Sequence, residues 1–328
     1  MKKVSLEMGS GGKLMRDFIA EKLLPTFSNS ILNELHDSAF LPGDLAFTTD
    51  SYTVDPIFFP GGDIGTLCVN GTINDLVVSG ARPEYLSLAL IIEEGLEFEL
   101  LEKILKSIKR TASLNSVRIV TGDTKVVPQG QGDKIFINTA GLGRILKKPR
   151  PEKIKPGDKL IVTGSIGEHG LAIMLARNDF RMFSGIRSDC APLLFLLPLW
   201  EKGALWMRDI TRGGLATVLS ELTEKISYPL LVEEANIPMS SKLQGAVEIL
   251  GIDPLYLACE GRALIVAPED QAEQLLKIIK KHPLGKTAAI IGQVEDKIGK
   301  KGEALLRSIS GGLRLLEPLT SELLPRIC

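Results

Sequence analysis

Aromatic residues make up only 5% of this 328-residue chain. That is too few for the stacking platforms on which proteins hold single-stranded nucleic acid. Charge of one sign is also missing. The 39 Lys+Arg against 40 Asp+Glu leave a formal net charge of −1, so there is no whole-chain electrostatic case for nucleic acid or an anionic membrane. No long hydrophobic run occurs. The most apolar stretch, "APLLFLLPLW" (191–200), is ten residues with two prolines, too short to span a bilayer. The opening "MKKVSLEMGS" is not followed by an apolar run of signal-peptide length, so a cytoplasmic protein is expected. The four cysteines, Cys68, Cys190, Cys259 and Cys328, lie far apart with no CxxC pair. That spacing argues against a disulfide framework and against a zinc site of the usual kind. The three histidines have no matched partners, and His169 in "GEHG" reads as a structural residue at a helix start.

What is present is a soluble-enzyme composition, 44% apolar, in a chain too long for one typical core. Two domains are therefore expected. "LAFTTDSYTV", "PEYLSLALII", "VRIVTGDTKVV" and "KIFINTAGLGRIL" read as strands. "GGDIGTLCVNGTINDLVVSGA" reads as a helix entered through glycines, and "EFELLEKILKSIKRTASL" as an amphipathic helix. The Lys- and Pro-rich "KKPRPEKIKPGD" is the best linker. Beyond it "KLIVTGS" and "GRALIVAPE" read as strands, and "GEHGLAIMLAR", "GGLATVLSELTEK" and "DQAEQLLKIIKKH" as helices. The expected division is an α/β domain over 1–148, a second over 149–309, and a mobile tail over 310–328 that carries Cys328.

Several aspartates stand where an element meets a turn: Asp44, Asp50, Asp75, Asp123 and Asp209. Singly, each suits a local Asx hydrogen bond. Together they suit Mg²⁺, which takes hard oxygen ligands beside substrate phosphates. "GSGGK" (9–13), "PGGDIG" (60–65) and "TRGGL" (211–215) each open a helical run, a setting in which backbone N–H groups can face phosphate. No Walker loop and no kinase motif set is present.

The stretch from "FTTDSYTVDP" to "LALIIEEG" (47–95) resembles the ATP-binding half of the PurM-like family that includes aminoimidazole ribonucleotide synthetase, selenophosphate synthetase and thiamine-monophosphate kinase. "VTGDTKVVPQG", "GSIGEHG" and "DITRGGLA" extend the likeness into the second half. "CEGR" (259–262) and "PRIC" (325–328) narrow it to the hydrogenase maturation factors of the HypE family, the carbamoyl dehydratases. The resemblance implies a two-domain PurM-like fold of α/β (α+β) class and a homodimer built on the N-terminal domains. It implies ATP in a cleft with Mg²⁺. Asp50, Asp75 and Asp123 match the metal and phosphate positions, with Asp44 and Asp209 as further metal candidates. Gly11, Gly12 and Lys13 match a phosphate-covering segment, and Gly62, Asp63, Asn74 and Gly122 fall on the remaining nucleotide-binding positions. The implied partners are the carbamoyltransferase HypF as donor and a HypC–HypD complex as acceptor.

The resemblance also gives Cys328 a role. In this family the last cysteine carries a carbamoyl group, which ATP-driven dehydration converts to a thiocyanate that supplies the cyanide ligand of the [NiFe]-hydrogenase iron. A carrier thiol must visit more than one site, which suits a tail. Glu260 is the first choice of base, Lys125 the second, with Arg262 as an orienting cation. Cys68, Cys190 and Cys259 read as core thiols. Two other readings remain: a kinase of the same fold acting on a free small molecule, and a non-enzymatic nucleotide-binding carrier.

Overall fold

Alternating side chains build the first of two sheets in the computed structural model, which describes residues 3–9, 12–178, 185–319 and 326–328. A helical run containing α1 (Lys13–Phe18) and α2 (Leu24–Phe27) precedes it. The strands are β1 (Ala39–Leu41), β2 (Leu45–Tyr52), β5 (Ala81–Glu93), β6 (Arg118–Val127) and β7 (Ile135–Ile145), in the order β1-β2-β7-β5-β6. In β2, Ala46, Thr48 and Tyr52 point inward while Phe47, Thr49 and Ser51 point out. A separate two-stranded piece pairs β3 (Phe58–Phe59) with β4 (Gly62–Asp63). Only β5 and β6 run parallel in the first sheet, joined by α4 (Phe98–Leu114), because a parallel pair needs a crossover. Strand β6 is the edge, and it is exposed from Arg118 through Val126.

Helix α3 (Ile64–Val78) lies between the two halves of the chain. All but Thr66 and Asp75 of its 15 residues are buried. A helix apolar on every side must be covered on every side. The five-stranded sheet and α4 cover it from one direction, and the C-terminal half from the other, where the Trp200 indole N–H donates to the Val77 carbonyl at 2.9 Å. The polar Asn70, Thr72 and Asn74 are buried in this helix as well, and buried polar groups need partners.

The second sheet has seven strands in the order β14-β13-β10-β12-β8-β11-β9. These are β8 (Lys159–Val162), β9 (Trp206–Asp209), β10 (Leu230–Glu233), β11 (Ala263–Ala267), β12 (Ala289–Val294), β13 (Ala304–Arg307) and β14 (Leu313–Leu315). Its helices are α5 (Glu168–Arg177), α6 (Leu197–Glu201), α7 (Gly214–Lys225), α8 (Ser241–Leu250) and α9 (Ala272–Lys281). One core cluster contains Ile64, Ile73 and Ile104 of the first half together with Ile173, Trp200 and Ile265 of the second. The two halves thus share a core. The segment read as linker is packed as well: Arg150 N–H donates to Leu205 O at 2.7 Å. The segment read as tail differs from expectation near its start, since β14 pairs with β13 and extends the sheet. Among the described residues no helix is long and apolar enough to cross a membrane.

Candidate active site

Strand β2 and helix α3 each carry one carboxylate toward the other. Thr48 Oγ1 donates to Asp75 Oδ2 at 2.7 Å, and the Tyr52 hydroxyl donates to Asp50 Oδ2 at 3.1 Å. The two carboxyls lie close enough for each to act on the other's proton affinity. Burial raises Asp50, and burial with the nearby Asp50, Asp209 and Asp37 holds Asp75 well above the ordinary carboxylate range. Strand β9 brings Asp209, pushed up to about 8 by burial and then by Asp37. Asp37, just before β1, completes the group: carboxylate oxygens of Asp37, Asp75 and Asp209 all lie within 4.8 Å of one another. Burial pushes Asp37 up to about 6, although Arg208 pairs with it at 2.5 Å and pulls the other way. These are hard oxygen donors crowded against their own repulsion, and they fit Mg²⁺ in chemistry and spacing. Asp37 was not singled out from sequence. The rule that selected the other aspartates, a carboxylate at the mouth of a strand, applies to "HDSAF" equally well.

A glycine makes this contact possible. An added Cβ at Gly71 would lie 2.3 Å from the Tyr52 hydroxyl. Alanine normally gains up to about 1 kcal/mol over glycine inside a helix. Here the clash should reverse the sign, and Gly71→Ala should destabilise by about 1–3 kcal/mol in urea unfolding. Tyr52→Phe in the same chain should recover part of that loss. Strict additivity of the two changes would contradict the contact.

Three separated sequence motifs converge beside this cluster. In "CEGR", Glu260 is 3% exposed and its Oε1 has no hydrogen-bond partner among the described residues. Burial, then Asp209, Asp189 and Asp50, holds it well above the usual carboxylate range. In "SDC", Asp189 Oδ1 accepts from Glu260 N–H at 3.1 Å, and Ala191 N–H donates to Glu260 O at 3.2 Å. Arg262 Nε faces Asp189 at 3.5 Å, and its Nη2 lies 3.9 Å from Glu168 of "GEHG". Arg262 therefore bears on Glu260 through Asp189. Ser188 and Asp189 carry no expectation from sequence, because a Ser-Asp-Cys turn has no local signature, and Cys190, read as a core thiol, is only partly buried.

The remaining expected site residues fall into separate settings. Asp63 caps α3, accepting from Thr66 N–H at 2.9 Å, and takes Ser107 Oγ at 2.7 Å on its other oxygen. Asn74 is spent across the halves, donating to Ala191 O at 3.1 Å and accepting from Leu193 N–H at 2.8 Å. Gly62 packs against Phe59, and a Cβ at Gly122 would lie 2.2 Å from Leu88 O, so strand packing accounts for both. Asp44 takes a left-handed turn at φ 57° between β1 and β2, outside the carboxylate group. Asp123 and Lys125 pair with each other at 3.2 Å on exposed β6. Asp50 and Asp123 sit on strands three spacings apart, on the order of 14 Å. Lys13 pairs with Asp17 at 2.8 Å, and a Cβ at Gly12 would meet Leu319 O at 2.3 Å. Gly11 lies outside the described residues.

A cleft opens along α1 and α7 to the carboxylates. Its inner part, about 180 Å³, is lined by Asp209, Arg208, Arg212 and Thr217. It continues past Arg16 and Ile19 into a cavity of about 470 Å³ that also includes Leu24, Leu35, His36 and Lys225. One end is charged and the other mixed with apolar side chains.

The described end of the chain is docked rather than free. Thr53 N–H, the residue after β2, donates to Cys328 O at 2.9 Å, and Asp55 N–H donates to Arg326 O at 3.2 Å. Ile327 is buried, and Cys328 packs against the core cluster that contains Tyr52. The other three cysteines form no disulfide, and Cys68 and Cys259 are buried.

Residues 36–145 match the family described as AIR synthase related protein, N-terminal domain, and residues 155–303 its C-terminal domain. The carbamoyl dehydratase HypE of Rhodobacter capsulatus is 43% identical over 336 residues, covering 99% of this chain and 98% of that protein. A crystal structure of a HypE–HypF complex superposes with a TM-score of 0.87 at 41% identity, covering 92% of this chain and 99% of that one. A HypE crystal structure in complex with ATP gives 0.83 at 44% identity, covering 99% and 100%. With two PurM-like domains and similarity along its whole length, the chain belongs to the carbamoyl dehydratase HypE family of AIR synthase-related proteins.

Proposed function

We propose that this protein is an ATP-dependent carbamoyl dehydratase acting on a carbamoyl group carried by its own Cys328. The observation that carries the reading is the docking of residues 326–328 onto Thr53–Asp55, directly beyond the strand that bears Asp50. The relatives' dehydratase name and the ATP-bound relative support the same activity and substrate.

The reaction is R–S–C(=O)–NH₂ + ATP → R–S–C≡N + ADP + phosphate. The carbamoyl oxygen attacks the γ-phosphorus, ADP leaves, and the oxygen later departs as phosphate. The nitrogen gives up both protons as the nitrile forms, one leaving with the phosphate and the other passing to a protein base. Glu260 is the proposed acceptor. A carboxyl held above its usual range binds a proton more strongly than a solvated one, and its Oε1 is open to receive it. Asp189 holds the Glu260 backbone, and Arg262 holds Asp189. The α1–α7 cleft, with Asp209 and Arg212 at its inner end, would hold ATP. Asp37, Asp75 and Asp209, with Asp50 behind them, would hold Mg²⁺, which neutralises phosphate charge when bound. Glu260→Gln should slow dehydration about 10²–10⁴-fold with little change in ATP binding. Single-turnover assays beside calorimetry read both. Equal dehydration rates would move the role to Lys125 or elsewhere.

A homodimer fits the uncovered edge of the first sheet. Val120 is 59% and Val126 66% exposed on β6, an edge strand that a soluble protein ordinarily covers or charges. A second copy over this edge would also cover Asp123 and Lys125. HypF is the proposed carbamoyl donor, as a relative forms a complex with it, and a HypC–HypD complex the cyanide acceptor. Mass spectrometry of the C-terminal peptide after incubation with a carbamoyl donor and ATP tests the function. Loss of one water from the adduct is expected. An unchanged adduct would mean a carrier without dehydratase activity, and no adduct would mean a kinase acting on a free substrate.

A further inference from the structure

The last three residues are gripped through their main chain. The carbonyls of Arg326 and Cys328 face Thr53–Asp55: Asp55 N–H and Arg177 Nη2 donate to Arg326 O at 3.2 and 2.9 Å, and Thr53 N–H donates to Cys328 O at 2.9 Å. In return Arg326 Nε donates to Thr53 O at 2.8 Å, and its Nη1 pairs with Asp133. The carbonyl between them, on the buried Ile327, makes no bond to Thr53–Asp55. It would be an orphan acceptor there but for one group, His169 Nε2 at 2.8 Å.

His169 is fully buried in the first turn of α5, and burial pushes it down to about 4, so the ring is neutral at physiological pH. A neutral imidazole has one donor and one acceptor nitrogen. Because the Ile327 oxygen only accepts, Nε2 carries the proton, and Nδ1 accepts from the Ser188 hydroxyl at 2.8 Å. Ser188 is fixed in turn: its N–H donates to Pro60 O at 2.7 Å and its Oγ accepts from Cys190 N–H at 3.0 Å. The ring edge meets Phe59, with centroids 5.5 Å apart at 84°. Gly170 lets this turn press close, since a Cβ there would sit 3.0 Å from Ala258 N.

We propose that His169 is a positioning residue that latches the carrier segment in the site of its own subunit, its Nε2–H capping the Ile327 carbonyl only when Cys328 is docked. The proposal rests on the reading of Cys328 as the carrier thiol. The latch recognises main chain, so it grips the segment without touching the thiol or the group the thiol carries. Arg326 adopts a left-handed φ of 55°, a conformation L-residues avoid. The docked form is therefore held by its contacts rather than by the chain's own preference, and removing one contact should favour release. An undocked Ile327 carbonyl is solvated. Loss of the cap thus penalises docking and not folding.

The test uses the full chain with limited trypsin, following release of the Ile327–Cys328 dipeptide, together with iodoacetamide labelling of Cys328. His169→Leu should speed both on the order of tenfold or more, the usual consequence of leaving one buried acceptor unpaired. His169→Gln, whose amide N–H can reach the same carbonyl, should restore protection. Unchanged protection in the Leu variant, or no difference between Leu and Gln, overturns the latch. A second measurement needs no His169 variant. With only three histidines, ¹⁵N-histidine labelling isolates the His169 ring. Its Nε2 proton should resist exchange in the full chain and exchange at once in a chain ending at Arg326; equal protection in both overturns the proposal. These readouts are indifferent to chemistry. Absence of thiocyanate in the wild type would instead strike the dehydratase reading and leave the latch standing.

Discussion

Cys328→Ala should yield a protein that folds and binds ATP as the wild type does but forms no protein-bound thiocyanate. The main-chain bonds from Thr53 to residue 328 and from Asp55 to Arg326 do not use the thiol, so alanine keeps them. Cys328 is only partly buried, and a change of this size at a chain end should stay within about ±0.5 kcal/mol. The chemical loss should nevertheless be complete, because in the proposed reaction the sulfur is the atom that carries the carbamoyl group, and alanine offers no nucleophile. Cys328→Ser is the sharper control. It preserves shape and docking, yet a hydroxyl at neutral pH is a far weaker nucleophile than a thiolate, so carbamoyl loading should fail as well. Residues appended after Cys328 should impair the reaction, since Ile327 and Cys328 pack into the protein. Isotope-labelled carbamoyl donor follows all three proteins. Labelled thiocyanate in Cys328→Ala would transfer the carrier role to another cysteine, and Cys190, whose sulfur accepts from Asn70 Nδ2 at 3.6 Å beside Glu260, would be the first to examine.

The long elements were legible in the chain because their patterns are strong. The alternation of β2, the amphipathic period of α4 and the glycine-entered α3 all read directly. Some short strands of the second sheet did not: β9, β10 and β13 have four residues each, too few to display a period. Strand β14 was hidden for the same reason, and prolines on its C-terminal side made the segment read as tail. At the site, sequence supplied the residue types but not their company. Glu260 was legible as a possible base, but its partner Asp189 lies 71 residues away in a turn without regular structure. Glycines are the most ambiguous signal in the sequence. "PGGDIG" suggested a phosphate cradle, yet a Cβ at Gly61 would lie 2.6 Å from the Ser188 carbonyl oxygen, and "TRGG" fits α7 against Leu255 in the same way. Close approach of one backbone to another and close approach of backbone to phosphate demand the same residue. Only the fold separates them.

Asp209→Asn should move stability and ligand response in opposite directions. In the metal-free protein Asp209 is buried against Asp37 and Asp75, and its folded value of about 8 lies far above that of an unfolded carboxyl. The sign follows from linkage. Between the unfolded and folded values the native state holds the proton more tightly, so stability is full below about pH 4 and falls as pH rises toward 8. Asparagine removes that charge at nearly constant shape. At pH 8 the metal-free variant should therefore be more stable than wild type, on the order of 2 kcal/mol or more, since one pKa unit corresponds to about 1.4 kcal/mol. Mg·ATP should reverse the ranking. The cluster that costs stability when empty of cations is the one proposed to receive Mg²⁺, and saturating ligand at about 100 times its Kd adds about 2.7 kcal/mol to a protein that binds it. Wild type should gain that increment and Asp209→Asn little of it. Asp75→Asn, which can still accept from Thr48 through its amide oxygen, should behave alike. Asp123→Asn, exposed on β6 and already paired with Lys125, should leave metal-free stability unchanged. Thermal unfolding at pH 6 and pH 8, with and without Mg·ATP, reads every arm of this comparison. A full Mg·ATP shift retained by both Asp209→Asn and Asp75→Asn would mean that these carboxylates hold no metal, and that their crowding serves the packing of β9 against α3 alone.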